Sequence, residues 1–308
     1  MELDKAVIKK RLTIYIALTI ALTCIVYLLI PALGIVYGSG KSVAVLMAVM
    51  FVPATCSLLT RLVTKEGFKN MYLHPHFKGN LKYYMLAFFG PVVLIFLSAV
   101  VYFLVFPGSY DPELTALKGL IASSGKTGLS PASLLMVQTL AFVAIGPIVN
   151  IIPTMGEELG WRGYLLPKLR TFLTDRAALV ITGVIWGVWH VPAIAMGHNY
   201  GTAYSGYPWT GILAMIVFCV VLGIIEGYIS IKLESAVPAA MIHSAVNAGA
   251  GLPVYLATSG SNPLLGPAIT GLAGGLPFIV LAVILFIVVG NRLSSGESDL
   301  QCSCSMIK

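Results

Sequence analysis

"WTGILAMIVFCVVLGIIEGYISI", residues 209–231, runs for 23 residues with one charged side chain, Glu226. An α-helix rises 1.5 Å per residue, so a helical stretch of this length spans about 35 Å, enough to cross a hydrocarbon core of about 30 Å. Comparable apolar runs occupy residues 12–37, 42–61, 83–106, 131–153, 177–197, 235–257 and 264–290, which makes eight in all. Pro31, Pro53, Pro91, Pro147, Pro238 and Pro277 fall inside these runs. Membrane helices tolerate proline, and kinks are expected there. Apolar residues make up 58% of the chain and charged ones only 10%, with a mean hydropathy of +0.92. That balance belongs to the membrane class.

The net charge of +7 raises the question of a nucleic-acid partner, and the placement of the basic residues answers it. With the N-terminus inside, the cytoplasmic segments hold sixteen of the nineteen Lys and Arg residues, and the outside keeps Lys41, Lys118 and Lys126. The asymmetry follows the positive-inside rule, so the basic excess is topological and no nucleic acid is expected. The expected fold is an all-α, polytopic integral membrane protein of about eight transmembrane helices with both termini cytoplasmic. Residues 1–308 read as a single transmembrane domain, with 291–308 as a cytoplasmic tail. Cys24, Cys56 and Cys219 fall within expected helices and Cys302 and Cys304 in the tail, which gives no disulfide framework. The basic loop at 62–82 is expected against anionic headgroups.

Charges at membrane depth are costly, about 2.5–3.5 kcal/mol each on insertion scales, and usually face the bundle interior or a water-filled cavity. The polar residues at such depth are Glu157, Glu158 and Arg162 in "GEELGWRGYLL", His190 in "WGVWHVPA", Glu226, and His243 with Asn247 in "MIHSAVNAG". Glu158 and Arg162 stand at i and i+4, so they share a helix face and can neutralise each other. Glu157, about 100° around the helix, cannot share that pairing and is left for another task. His243 and Asn247 also stand at i and i+4, and His190 has Trp186 one turn before it. For Glu226 a structural role is expected, as counter-ion to Arg162 or to a histidine. His198 reads as an ordinary loop residue on the outer side.

Such a set supports water activation. Glu157 with His190 polarises a water for attack on a carbonyl, and His243 with Asn247 receives the oxyanion that develops. Glu157, His190 and His243 are the candidates for a zinc site instead, with water as fourth ligand. No HExxH motif argues for zinc, and no GxSxG motif argues for a serine nucleophile. Water activation by these groups requires no cofactor, and zinc is the alternative.

"EELGWR", "WGVWH" and "HSAVN", one on each of three polar-bearing helices in this order, resemble the CPBP family of intramembrane proteases. That family includes CAAX prenyl endopeptidases and bacteriocin-immunity proteins. The resemblance covers about residues 131–257, the expected catalytic core. It implies an eight-helix intramembrane endopeptidase, its active site toward the cytoplasmic side, acting on a peptide or prenylated protein substrate within the lipid bilayer. Glu157 matches the catalytic glutamate, His190 the histidine that helps hold the water, and His243 with Asn247 the oxyanion pair. Glu158 and Arg162 match a structural second glutamate and arginine. The one variation is Trp186 where phenylalanine is common. Members have been read both as metalloproteases and as metal-free, glutamate-dependent enzymes. Two other readings keep the polar cluster without proteolysis: an immunity or scaffold protein, and a proton-coupled transporter using Glu157, His190 and Glu226 as a relay.

Overall fold

The computed structural model describes residues 2–124, 128 and 130–290. The expected tail at 291–308, with Cys302 and Cys304, lies outside the described residues, as does Lys126. The described chain is helical throughout, and its one β-type pairing is an isolated bridge between Tyr110 and Ala257. In chain order the helices are α1 (Glu2–Ala32), α2 (Gly40–Val49), α3 (Val52–Val63), α4 (Leu81–Val105), α5 (Thr115–Ser123), α6 (Pro131–Val149), α7 (Ile151–Gly160), α8 (Leu166–Leu169), α9 (Asp175–Trp189), α10 (Val191–Ile194), α11 (Trp209–Leu233), α12 (Val237–Gly249) and α13 (Leu276–Val289). A π-helical turn, Trp161–Leu165, joins α7 to α8.

Among the described residues, five segments are long and apolar enough to span a bilayer: Asp4–Ala32, Gly40–Val63, Leu81–Val105, Pro131–Val149 and Trp209–Leu233. The protein is therefore a multi-pass, all-helical integral membrane protein. In α11 67% of the spanning window is buried, against 17–33% in the other four. The stretch quoted at the outset is thus the centre of the bundle. Elsewhere large apolar side chains face outward, Leu28 at 69%, Val63 at 71% and Leu104 at 75% exposure, a surface suited to lipid rather than water.

The remaining apolar runs are shorter or broken. The run at 177–197 becomes α9 and α10, separated at His190, with Pro192 in the first turn of α10. The run at 235–257 is α12 followed by a 3-10 turn at Leu252–Leu256. The run at 264–290 is helical only from Leu276. Its first part, "LLGPAITGLAGG", folds back on itself, and a Cβ on Gly266 would lie 3.2 Å from the Gly274 nitrogen. Hydropathy registers apolar residues but not this glycine-dependent backbone packing. The loop expected at 107–130 contains α5, whose first turn is capped by Asp111, which accepts from Glu113 N at 3.0 Å and Thr115 N at 2.7 Å.

Two features position the polar cluster. First, α9 approaches α11 through Gly183 and Gly187, spaced as GxxxG: a Cβ at 183 would meet the Val220 Cα at 2.6 Å, and one at 187 the Ile216 Cα at 2.5 Å. Small residues of this spacing let two membrane helices meet backbone to backbone. Second, the continuous run expected at 131–153 breaks at Asn150, where α6 ends and α7 begins. The break is fastened to α12: Asn150 N donates to Ser244 Oγ (3.0 Å), Ser244 Oγ to Gly146 O (2.8 Å), and Thr154 Oγ1 lies 3.0 Å from Ala240 O. Backbone groups freed by the break thereby keep partners at a depth where water is scarce.

Candidate functional site

Glu157 sits on α7, directly after Gly156. A Cβ at 156 would lie 2.8 Å from the Met50 carbonyl, so this glycine lets α7 pass the break between α2 and α3. The Glu157 carboxylate is buried, and its Oε2 accepts from the indoles of Trp186 (2.9 Å) and Trp161 (3.4 Å). Its hydrogen-bond donors are neutral. Glu158 does the opposite work. Its carboxylate accepts from Arg162 Nη1 at 2.9 Å through Oε1, with Oε2 2.8 Å from the same nitrogen, and Oε1 also lies 2.9 Å from His243 Nδ1. Arg162 then reaches α11, where Nη2 is 2.7 Å from Glu226 Oε2. That approach is an ion pair whose angles fall outside hydrogen-bond geometry, which leaves the Glu226 oxygens without a hydrogen-bond donor. Both carboxylates and the guanidinium are wholly buried. Glu226 takes the counter-ion place expected of it.

Trp186 binds this cluster together. Its ring lies 4.5 Å from the Arg162 guanidinium carbon, a cation–π distance, and 5.2 Å from the His243 ring in an edge-on arrangement. His190, at the end of α9, places Nδ1 2.9 Å from the Trp186 carbonyl. A carbonyl only accepts, so Nδ1 carries the hydrogen, and a neutral His190 keeps Nε2 as an acceptor. By the same logic His243 gives its Nδ1 hydrogen to Glu158.

Glu157, His190, His243 and Asn247 line one cavity of about 310 Å³. Tyr27 of α1 and Met50 at the end of α2 complete its wall, so helices before residue 131 help build the site. Asn247, on α12, is exposed and also lines a groove of about 470 Å³ beside α6, where Phe142, Ile145 and Val149 supply apolar surface. His198 departs from the sequence reading. It lines the same cavity, lies parallel to the His190 ring at 6.5 Å and is held by Tyr37 OH at 2.7 Å from its Nδ1. A histidine just beyond a helix looks like a loop residue in sequence, because only the fold-back after α10 carries it inward. Trp161 was also missed as a partner of Glu157; its i+4 spacing was the available signal.

The described residues bring together one set of potential metal donors, Glu158, Glu226 and His243, with ligand atoms within 4.8 Å of one another. It differs from the candidate set Glu157, His190 and His243. The guanidinium of Arg162 already bridges both of its carboxylates, so the arrangement fits an organic cation better than a divalent ion.

The fold and cluster define a multi-pass membrane protein with a buried carboxylate and histidines around an internal cavity. Residues 132–249 match the family model for the type II CAAX prenyl endopeptidase Rce1-like proteins. A segment of 93 residues is 30% identical to CAAX prenyl protease 2 of Methanococcus maripaludis. The alignment covers 30% of this chain and 34% of that relative, so the chain spans about a third of the length of the curated protein it matches.

Proposed function

We propose that the protein is an intramembrane endopeptidase in which Glu157 activates a water for attack on a peptide carbonyl. The observation that carries this is the contrast between the adjacent glutamates. Glu158 is tied into a charge network, whereas Glu157 faces the cavity and is held only by neutral indole donors. A general base must be oriented without being neutralised by a cation, and two N–H donors on one oxygen leave the other for water. His190 Nε2 is the acceptor that orients the same water. Asn247 Nδ2, and His243 through the Nε2 proton of the imidazolium that the Glu158 carboxylate stabilises, donate to the tetrahedral oxyanion across the cavity. The proton taken by Glu157 passes to the departing amine.

The substrate reading is a CAAX-type peptide whose prenylated cysteine precedes the scissile bond, with release of a C-terminal tripeptide. The match of residues 132–249 to that family model supports it, and so does the apolar groove between α6 and α12. Because Asn247 lines both spaces, a chain lying in the groove leads directly to the cavity. The positive-inside asymmetry supports entry from the cytoplasmic side.

The test is cleavage of a quenched, farnesylated CAAX peptide by the full chain in proteoliposomes, beside its unprenylated form and a Glu157→Ala variant. Cleavage of the farnesylated peptide by the wild type alone is expected. If the wild type cuts neither peptide, the CAAX substrate is wrong. A Glu157→Ala variant as fast as the wild type removes the proposed base.

A further inference from the structure

A second cavity, of about 820 Å³, opens between the start of α1, the end of α3, the loop after it and α8. None of the residues lining the Glu157 cavity lines this one. Its chemistry is basic: Arg11, Arg61, Lys69 and Lys168 line it against Glu66 and Glu234, a formal balance of +2. Three of the cations converge on one carboxylate. Lys168 Nζ binds Glu66 Oε1, Arg61 Nη1 lies 3.4 Å from that oxygen, and Arg11 Nε lies 3.6 Å from Oε2, which also accepts from Tyr164 OH at 3.1 Å. Burial pushes the Glu66 carboxyl up, yet Lys168 and Arg61 together hold it below its ordinary range. One carboxylate cannot neutralise three cations, so the cavity retains positive potential.

The wall of this cavity is a strained loop. Lys65, Asn70, Tyr72 and His76 all adopt left-handed backbone, with φ of 51°, 56°, 58° and 50°. Such conformations are uncommon for side chains of this size and persist only where surrounding contacts impose them. Arg61 braces the middle of the loop, donating to the carbonyls of Gly67 (3.0 Å), Lys69 (3.1 Å) and Asn70 (3.4 Å), while Tyr72 O accepts from Ala236 N at 2.8 Å. The cavity is also amphiphilic. Ile8, Phe68, Met71 and Leu73 line it, and Phe68 and Leu73 are about half exposed.

We propose that this cavity is a binding site for the phosphate-bearing headgroup of an anionic lipid, with Arg11, Lys69 and Lys168 as the phosphate ligands and Arg61 as the post that holds the loop around it. Arginine forks and lysine point charges both suit phosphate oxygens. The apolar lining beside them favours an amphiphile over a free ion. The site is independent of the hydrolytic reading, because neither its residues nor its test involves Glu157.

The test measures binding of dihexanoyl phosphatidic acid, dihexanoyl phosphatidylcholine and inorganic phosphate to the full chain in uncharged detergent. The wild type is expected to bind phosphatidic acid at least tenfold more tightly than phosphatidylcholine. An Arg11→Gln/Lys168→Gln double variant should lose at least tenfold of that affinity, while Lys168→Arg keeps it within threefold. Because the double variant disturbs a half-buried network, Lys69→Gln serves as a second probe. Lys69 is exposed, so the fold tolerates its loss, and about threefold weaker binding is expected. Equal binding of inorganic phosphate and phosphatidic acid, lost together in the variants, would keep the anion site and assign it to free phosphate. Absence of saturable binding of phosphatidic acid to the wild type, or affinity unchanged in both Lys69→Gln and the double variant, overturns the proposal.

Discussion

Replacing Glu157 by glutamine tests the division of labour between the two adjacent glutamates more sharply than any deletion. Glutamine has the same shape, and its carbonyl oxygen accepts from Trp186 and Trp161 as Oε2 does now, at 2.9 and 3.4 Å. What disappears is the ability to take a proton from water, and general-base catalysis of this kind is worth about 10²–10⁴ in rate. Glu157→Gln is therefore expected to cut peptide turnover by at least 10²-fold while shifting stability by less than about 1 kcal/mol, the scale of one neutral hydrogen bond. Glu158→Gln is expected to behave in the opposite way. It removes a buried charge that Arg162 approaches at 2.8 Å and His243 at 2.9 Å, and breaking a buried pair costs about 3–5 kcal/mol. The assay is parallel: initial rates on a quenched peptide, and thermal unfolding of the same preparations in micelles. The reasoning is refuted if Glu157→Gln retains turnover within tenfold of wild type, or if it destabilises the protein as much as Glu158→Gln.

Gly183→Leu is expected to force α9 from α11, since even a Cβ there meets the Val220 Cα at 2.6 Å; a loss of about 1–3 kcal/mol should appear as a lower unfolding temperature. Arg162→Met and Glu226→Gln are expected to be non-additive, with a coupling of about 0.5–3 kcal/mol in a double-mutant cycle, because their side chains meet at 2.7 Å inside the bundle. The Asp111 carboxyl is held below its usual range by the backbone N–H of Thr115, so its folded-state pKa is depressed. A depressed carboxyl contributes stability that is present above its unfolded pKa, about 3.9, and lost as pH falls through the folded value. Hydrogen exchange across α5 should therefore be flat from pH 7 to about 4 after correction for intrinsic rates, and protection should fall only below that. In Asp111→Ala it should be low at every pH.

Local spacing made the pairings legible in the sequence. The i and i+4 rule put Arg162 with Glu158 and excluded Glu157, and the structure has that arrangement. Glu226 was readable as a counter-ion because a lone acid on so apolar a helix needs one. The helix boundaries were less legible. Hydropathy joins α6 to α7 and α9 to α10 because the breaking residues, Asn150 and His190, are single polar positions inside apolar runs. It also extends the last span over 264–275, where glycines fold the backbone into a compact apolar turn. His198 could not be found by spacing, since its approach to His190 depends on the reversal of the chain after α10. The Tyr27 and Met50 walls depend likewise on packing between distant helices.

Trp186 donates to Glu157, lies over Arg162 and sets its ring edge-on to His243. One side chain thus participates in three relationships that a residue-by-residue scan would score separately. Phenylalanine at this position would keep the aromatic face and forfeit the indole hydrogen, which leaves Trp161 as the indole donor to Glu157. Positions 186 and 161 are therefore coupled through one carboxylate oxygen: loss of the indole at 186 is expected to cost more in a chain that also lacks the indole at 161. Two indoles 25 residues apart in the chain thus hold one oxygen in common.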